Sequence, residues 1–304
     1  MSKILHLGIK NKEFYFVLLS IFRIFAVSME YCMKVRGAQM SLAEPVVMGI
    51  LNCTPDSFYA DSRKQTEQEI AERAQQILAE GGRIIDVGAY STRPGHEVVS
   101  EEEEMHRLQA ALTVIRRVVP DAIVSVDTFR PLVARRCVEE WGADMVNDVS
   151  PTPNSSTERS DDRKKAMFEV VSQLGVPYIL MSQQPTIEAM LSEWADDVLQ
   201  LRSMGAKDII LDPGFGFGKT LDENFAVLRQ MERLSVLSLP LLVGLSRKRM
   251  VWQTLNGSPE SALNGTTVLN TIALQHGASI LRVHVVREAV EVVTLVHSAC
   301  VDRR

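Results

Sequence analysis

The acidic and amide side chains of this sequence recur at one kind of position, directly after or within a short apolar segment. Asp127 follows the apolar residues 123–126, Asn147 lies within residues 145–149, and Asp212 follows residues 208–211. Their side-chain oxygens accept hydrogen bonds. Three such acceptors suit a flat heterocycle with an edge rich in N–H donors, as in an amino-pyrimidine. The sequence therefore predicts a pocket that binds the edge of such a ring.

Basic side chains occupy comparable positions after other apolar segments. Arg93, Arg282 and His284 are cations that suit a di-anionic phosphate group, because a guanidinium can bind phosphate through two parallel hydrogen bonds. The predicted pocket would thus hold a ring on one side and phosphate on the other. Three further side chains in neighbouring loops would wall an aromatic second substrate: Phe58, Pro94 and Phe217. Phe217 could equally anchor its own loop.

The elements that must position these residues are eight short apolar segments, each followed by a longer amphipathic one. Segments rich in Val, Ile and Leu without polar alternation are typical of parallel strands buried on both faces. The alternation predicts βα units. The predicted strands are residues 46–51, 83–87, 123–126, 145–149, 176–181, 208–211, 239–243 and 279–283, and helices are predicted at 65–80 and 101–118.

Eight βα units over about 250 residues predict a single (β/α)8 TIM barrel, which we expect to span residues 46–304 as one catalytic domain. In such a barrel the active site lies where the C-terminal ends of the strands converge on one rim. The polar residues above all fall at those ends. One alone could be a helix cap, but their convergence favours a functional site.

The glycine-rich segment after Asp212 approaches two phosphate-binding motifs without matching either. Its sequence from 214 to 220 is GFGFGKT, and a P-loop would need glycine where Pro213 stands. A dinucleotide-binding motif would need glycine where Lys219 stands. The glycines still indicate a loop that passes close to a ligand or needs positive φ.

Composition narrows the class of protein further. The chain is 46% hydrophobic and 23% charged, with a net charge of −5, which is typical of a soluble globular protein. It has no general basic field for a nucleic-acid backbone or an anionic membrane. Its four scattered cysteines include no C-x-x-C pair, which favours reduced thiols in the cytoplasm. We therefore expect small-molecule substrates rather than nucleic acid or membrane.

The first 45 residues do not fit the βα pattern. Lysines precede an apolar run at residues 14–27, as in a signal peptide, but Arg23 interrupts a run already shorter than the ~20 residues that span a bilayer. The alternative is an extension ahead of the native start, with start codons offered by Met29, Met33 and Met40. We favour the extension, and we expect residues 1–45 to be disordered or non-native and the chain to fold from Met40.

Seven segments follow one another along the chain: NCTPDSF, IIDVGAYSTRPG, SVDTF, NDVS, LDPGFGFGKT, GLSRKRM and RVH. Together they resemble the motifs of the dihydropteroate synthase family, from Val46 to the C-terminus. The resemblance implies a transferase of folate biosynthesis. It would condense 6-hydroxymethyl-7,8-dihydropterin pyrophosphate with p-aminobenzoate, releasing pyrophosphate, and it would be a magnesium-dependent homodimer and a sulfonamide target.

The resemblance also implies a role for each motif position. The pterin would be bound by Asp127, Asn147, Asp212 and Lys248. Asn52 would bind magnesium, and the pyrophosphate would be bound by Arg93, Arg282 and His284. The p-aminobenzoate would be framed by Phe58, Thr92, Pro94, Phe217 and Ser246. Asp212, Lys248 and Arg282 would carry the catalytic step, in which pyrophosphate leaves before the arylamine attacks.

Two positions depart from the family pattern. Ser182 stands where the family has histidine after the fifth strand, and Val285 replaces an aspartate after His284, which would loosen the orientation of that histidine. Two alternatives follow. A folate-dependent methyltransferase would share the pterin-binding positions but would have no pyrophosphate for Arg93, Arg282 and His284 to hold. A non-catalytic pterin-binding homologue would explain the departures.

Overall fold

The computed structural model describes residues 31–53, 63–90, 99–149 and 160–300. The strands in these ranges are β1 (Cys32–Val35), β2 (Ala38–Ser41), β3 (Val46–Asn52), β4 (Ile84–Gly88), β5 (Ile123–Asp127), β6 (Met145–Asp148), β7 (Tyr178–Met181), β8 (Ile209–Asp212), β9 (Leu241–Val243) and β10 (Ala278–Val283). The α-helices are α1 (Arg63–Ala79), α2 (Glu101–Val118), α3 (Pro131–Glu139), α4 (Ser160–Leu174), α5 (Ile187–Ser203), α6 (Leu221–Gln230), α7 (Arg249–Thr254), α8 (Leu263–Gln275) and α9 (Val286–Cys300).

Strands β3 to β10 form a closed parallel barrel. Each strand pairs with the next along the chain, and β10 pairs with β3 to close the ring. The predicted (β/α)8 TIM barrel is therefore confirmed. Each predicted strand end lies within two residues of the observed one, and the predicted helix 101–118 coincides with α2 (Glu101–Val118). Ser100 fixes the start of α2, because its side chain accepts a hydrogen bond from the backbone N–H of Glu103.

Alternate residues of each strand face opposite sides, so the barrel has two apolar layers. The outward-facing residues, such as Val47, Ile85 and Val124, pack against the helices. The inward-facing residues form a separate interior layer at the N-terminal end of the strands, made of Met48, Ile84, Met145, Ile179, Ile210, Leu242 and Ile280. The interior is a packed core rather than a pore.

A polar layer lies directly above this apolar interior, toward the C-terminal ends of the strands. Because successive inward positions are two residues apart, one step from the apolar layer along five of the strands reaches the polar one. The step leads from Ile84 to Asp86, and it leads equally to Ser125, Asn147, Asp212 and Arg282. Burial on one interior face thus places these side chains together, at the rim expected for an active site.

A short hairpin closes the opposite end of the barrel. Strands β1 and β2 pair antiparallel around Arg36 and Gly37, which both have positive φ. Met33, Val35, Met40 and Leu42 pack against the apolar interior layer. The expectation that residues 1–45 lie outside the core is therefore wrong for residues 31–42, because their apolar side chains cover the base of the barrel. Residues 1–30 lie outside the described ranges.

Arg36 ties this hairpin to the adjoining loops. Its Nη1 atom donates to the carbonyl of Pro120 at 2.8 Å, and its Nε atom lies 3.7 Å from Asp144. The hairpin is thus held by apolar packing and by polar contacts at its turn. Within the described ranges, none of the helices combines the length and the apolar character needed to cross a membrane.

Candidate active site

Arg282 occupies the centre of the polar layer, between two carboxylates. Its Nε atom donates to Asp86 Oδ2 at 2.6 Å, and its Nη2 atom donates to Asp127 Oδ2 at 2.5 Å. Burial alone would lower the pKa of Arg282, but the charges of Asp86 and Asp127 outweigh it and raise the pKa above its ordinary value. Arg282 therefore stays charged, and its guanidinium is fixed at two of its nitrogens.

Asn147 lies beside this ion-pair network and is completely buried. Its Nδ2 atom donates to Asp86 Oδ2 at 3.2 Å. Its Oδ1 atom has no hydrogen-bond partner in the described part of the chain. A buried acceptor without a partner is costly, and it is a feature of binding sites whose ligand supplies the missing donor.

Asp127 has a strongly perturbed acidity. Burial raises its pKa to about 7, the nearby charge of Arg282 opposes that rise, and the charge of Asp86 adds to it. One guanidinium cannot neutralise both carboxylates. The charge of Lys248 also opposes the rise, and the site holds an acidic group whose protonation changes near neutral pH.

Asp212 stands at the end of β8 with one oxygen committed to the backbone. Its Oδ1 atom accepts a hydrogen bond from Gly214 N at 2.8 Å, and burial raises its pKa. Gly214 has φ +63, and a Cβ at this position would lie 2.2 Å from the carbonyl oxygen of Ser182. Glycine is therefore required at position 214 for the turn that orients Asp212.

Two lysines contact the glycine-rich loop that follows Asp212. Lys219 Nζ donates to the carbonyls of Ser182, Gly214 and Phe217 at 3.1 to 3.3 Å, and burial lowers its pKa to about 8. Lys248 places its ammonium 4.1 Å from the centre of the Phe217 ring, a cation–π contact. Thr220 and Glu223 then begin α6 with a reciprocal capping box.

His284 is the last residue of the site along the chain, just beyond β10. Ser246 Oγ lies 3.2 Å from His284 N and 3.1 Å from His284 Nδ1. Arg73 Nη2 donates to the carbonyl of His284 at 2.7 Å. These contacts hold His284 although Val285 stands where the family has aspartate. The expectation that the missing carboxylate would loosen His284 is therefore not supported.

A cavity of about 340 Å³ opens beside His284. Its lining includes Asn52, Arg73 and Arg247. Arg73 has a pKa lowered by burial, and the like charge of Arg247 lowers it further, whereas Glu80 opposes the shift. The exposed carboxylate of Glu69 also lines the cavity. The two guanidiniums outnumber this one carboxylate, so the cavity is suited to phosphate.

Comparison of this chain with known proteins shows the enzyme family to which it belongs. A model of the family described as pterin binding enzymes matches residues 48–284. The dihydropteroate synthase of Escherichia coli K12 is 36% identical over 278 residues, which cover 86% of this chain and 94% of that protein. This chain belongs to the dihydropteroate synthase family. The Bacillus subtilis synthase is 37% identical over 80% of this chain and 84% of that protein.

Solved structures of dihydropteroate synthases have the same fold. The Xanthomonas albilineans enzyme with 4-aminobenzoic acid has a TM-score of 0.77 at 30% identity, covering 89% of this chain and 98% of that chain. The Yersinia pestis enzyme in a sulfonamide drug complex has a TM-score of 0.76 at 33% identity, covering 88% and 98%. The family assignment from the sequence motifs is thereby confirmed.

The barrel brings together the site residues from five strand ends that sequence analysis had selected: Asn52, Asp127, Asn147, Asp212 and Arg282. Lys248, Ser246 and His284 lie in the loops beside them, and Phe217 contacts Lys248. Phe58, Thr92, Arg93 and Pro94 lie outside the described ranges. Ser182, the other departure from the family pattern, is buried, and its hydroxyl donates to Glu193 Oε2 at 2.5 Å.

Two residues of the site have no role in the sequence prediction, Asp86 and Arg73, whereas Arg247 lies within the polar segment 246–248 predicted at the rim. Asp86 lies inside β4, two residues before Gly88, and could be mistaken for a buried structural carboxylate. Its position two residues beyond an apolar inward residue, in step with Asn147, is the signal that gives it a role. Arg73 lies in the middle of α1, where the sequence gives no sign that it faces the rim.

Proposed function

We propose that this chain is a dihydropteroate synthase, condensing 6-hydroxymethyl-7,8-dihydropterin pyrophosphate with p-aminobenzoate to give 7,8-dihydropteroate and pyrophosphate. The observation that carries this proposal is the adjacency of two half-sites. One is a buried cluster of acceptors around Arg282, and the other is a cavity beside His284 whose lining includes two guanidiniums and one carboxylate. A substrate made of a donor-rich ring and a pyrophosphate has both features.

The ring half would bind the pterin through Asp127, Asn147 and Asp212. Asn147 Oδ1 is an acceptor without a partner among the described residues, and Asp127 and Asp212 each have one oxygen already held by a protein donor. The pterin amino-pyrimidine edge supplies the N–H donors that such acceptors need. Lys248, over the Phe217 ring, would add a cation at the edge of the same pocket.

The phosphate half would bind pyrophosphate through Arg93, Arg282 and His284. Asn52 is exposed at the end of β3 and lines the cavity beside His284. The amide oxygen of Asn52 fits Mg²⁺, which commonly binds through one or two protein oxygens and the phosphates of its substrate.

The reaction requires one bond to break and one to form. The bond between the pterin methylene carbon and the pyrophosphate oxygen breaks, and the electron pair leaves with pyrophosphate. Arg282 and His284 would stabilise that developing charge, which bound magnesium also offsets. The carboxylate of Asp212 would stabilise the positive charge left on the pterin. The p-aminobenzoate nitrogen then bonds to the methylene carbon and loses a proton.

The second substrate would lie over the rim, against loops beside the pterin pocket. Phe217 is partly exposed and lies against Lys248, which makes it available as one wall. The remaining wall residues in this proposal are Phe58, Thr92, Pro94 and Ser246. Ser246 is bonded to His284, so its effect on p-aminobenzoate would be indirect.

The assembly, compartment and extent of the enzyme are part of the proposal. We infer a catalytic domain at residues 46–304, with residues 31–42 completing its base. Three apolar residues are exposed, Leu255 just after α7 and Leu263 and Val268 on α8, which supports a homodimer. Cys32, Cys53 and Cys137 are free thiols, which supports a cytoplasmic location.

One assay separates this function from its two alternatives. The purified chain is incubated with 6-hydroxymethyl-7,8-dihydropterin pyrophosphate, labelled p-aminobenzoate and magnesium, and labelled dihydropteroate is measured. A synthase forms product at a rate proportional to enzyme. A folate-dependent methyltransferase or a non-catalytic pterin-binding protein forms none, and methyl transfer from a methylated folate separates those two. The paired cations beside His284 favour the synthase over both.

A further inference from the structure

Asp86 connects two ligand-binding residues that come from distant strands. Its side chain is completely buried, and a single oxygen, Oδ2, accepts hydrogen bonds from Arg282 Nε at 2.6 Å and from Asn147 Nδ2 at 3.2 Å. Arg282 lies on β10 and Asn147 on β6. The carboxylate therefore occupies the point where the two sides of the polar layer meet.

The chemistry of a carboxylate fixes the direction of the Asn147 amide. An ionised carboxylate oxygen accepts hydrogen bonds and cannot donate them, so the Asn147 atom that faces Asp86 must be the NH₂ group. Asn147 Oδ1 is consequently turned away from Asp86, and in the described part of the chain it has no partner. If the amide rotated by half a turn, it would present N–H groups to a ligand edge that is itself made of donors.

Asp86 fixes the Arg282 guanidinium in a similar way. Two hydrogen bonds at different nitrogens, one to Asp86 and one to Asp127, determine the plane of the group. Without Asp86, the guanidinium would be held at one nitrogen only and could rotate. Both groups that flank the bound ring would then lose their fixed orientation.

We propose that Asp86 is a positioning residue of the pterin pocket, which orients the Asn147 amide as an acceptor and holds Arg282 in plane without itself needing to touch the substrate. The proposal rests on the proposed function in one respect, that the ligand of this pocket is a pterin. It assigns to Asp86 a role in selecting ligands with a donor edge over ligands with an acceptor edge.

The first test is Asp86→Asn, which keeps the shape of the side chain and removes its charge. The amide oxygen at position 86 can still accept from Arg282 and Asn147, but it is uncharged and holds both side chains more weakly. We expect the affinity for 6-hydroxymethylpterin, measured by calorimetry, to fall about tenfold or more. The KM for p-aminobenzoate should change by less than about twofold. Asp121→Asn, on an exposed loop at the other end of the barrel, is the matched control and should bind as the wild type does.

The decisive test exchanges the two side chains, in the double variant Asp86→Asn with Asn147→Asp. The wild type makes both contacts through one oxygen, so the amide at position 86 must rotate until its oxygen accepts from Arg282 and its NH₂ group donates to the new carboxylate. The second carboxylate oxygen then faces the ligand. Acceptor direction and net charge are both restored. We expect the double variant to bind 6-hydroxymethylpterin several-fold more tightly than Asp86→Asn alone. Binding no tighter than that of the single variant would overturn the proposal.

A pH profile tests whether Asp86 acts on the Asp127–Arg282 pair in the folded enzyme. The charges that face Asp127 are those of Arg282 on β10, Asp86 on β4, Glu104 on α2 and Lys248 before α7. Because the charge of Asp86 raises the pKa of Asp127, Asp86→Asn should move the acidic limb of kcat/KM for the pterin substrate to lower pH. An unchanged limb would show that Asp86 does not act on this pair and would count against the proposal.

Asn147→Asp alone keeps the proposal testable if Asp86→Asn does not fold. It offers the ligand an acceptor oxygen but places another carboxylate against Asp86. We expect weaker pterin binding, and wild-type affinity would show that Asp86 does not set the orientation. The wild type separates failure of this proposal from failure of the proposed function: a wild type that binds 6-hydroxymethylpterin but forms no dihydropteroate contradicts only the function.

Discussion

Ser246 and His284 are joined by two hydrogen bonds to a single atom, the Ser246 hydroxyl oxygen. The backbone N–H of His284 donates to Ser246 Oγ at 3.2 Å, and Ser246 Oγ lies 3.1 Å from His284 Nδ1. The hydroxyl that accepts from the backbone can donate to Nδ1 or accept from it, according to the tautomer of His284. One serine thus fixes the position of this histidine through its backbone and its ring.

We expect Ser246→Ala to impair use of the pterin pyrophosphate more than use of p-aminobenzoate. Loss of the two hydrogen bonds should reduce kcat/KM for the pterin substrate several-fold, at ~0.5–1.5 kcal/mol for a net hydrogen bond. Steady-state kinetics with each substrate varied in turn measure the effect. Ser279→Ala, a buried serine at the other end of the barrel in β10, is the control. A larger effect on the KM for p-aminobenzoate would instead support the framing role implied by family resemblance.

Asp212→Asn should leave the fold intact but damage both pterin binding and the chemical step. The amide can place a donor against the N–H groups of the pterin, at ~1–3 kcal/mol for each buried group left unpaired. It also removes the charge that would stabilise the pterin cation. Circular dichroism and single-turnover kinetics measure fold and chemistry separately. Asp208→Asn, just before β8, is the control. Near-normal kinetics for Asp212→Asn would refute the assignment.

A chain that begins at Met40 should be strongly destabilised, in contrast to the expectation from sequence. It lacks Met33 and Val35, which are 2% and 4% exposed, and burial of each contributes ~1.5–3 kcal/mol. That loss is a large part of the ~5–15 kcal/mol that stabilises a typical domain. Thermal unfolding is compared with that of a chain starting at Met29, which retains the hairpin. Equal melting temperatures would show that the hairpin does not support the barrel.

Pterin affinity should fall as the pH drops below about 7, because the pKa of Asp127 is raised to about 7 and its protonated form is a poorer acceptor.

The free energy of unfolding of the ligand-free protein should instead rise as the pH drops. Since the folded pKa exceeds the unfolded one, the contribution of Asp127 is fully present below about pH 4 and is lost as the pH rises through about 7. The stabilisation of the protein by 6-hydroxymethylpterin should therefore be larger at pH 8 than at pH 6, as measured by thermal unfolding. Asp127→Asn should abolish that difference.

The barrel strands were predictable because each is a short apolar run whose burial on both faces leaves a clear signal. The hairpin was missed because its two strands have four residues each, and their buried positions are separated by an exposed turn. Only the packing of Met33 against the barrel base reveals its role. Family resemblance assigned Ser246 to p-aminobenzoate. Its contact with His284, 38 residues away, could not be predicted from the sequence because the contact depends on two adjacent strand ends.

The unequal burial of the two half-sites gives them different responses to salt. Asp86 and Asn147 are completely buried on an apolar layer, so mobile ions cannot approach and screen them. Arg247 is exposed in the cavity beside His284, where ions within a Debye length of about 8 Å at physiological ionic strength compete for the same charge. Rising ionic strength should therefore weaken capture of the pyrophosphate while recognition of the ring is retained. The ionic composition of the surrounding fluid would thus act on this enzyme through one half of its substrate.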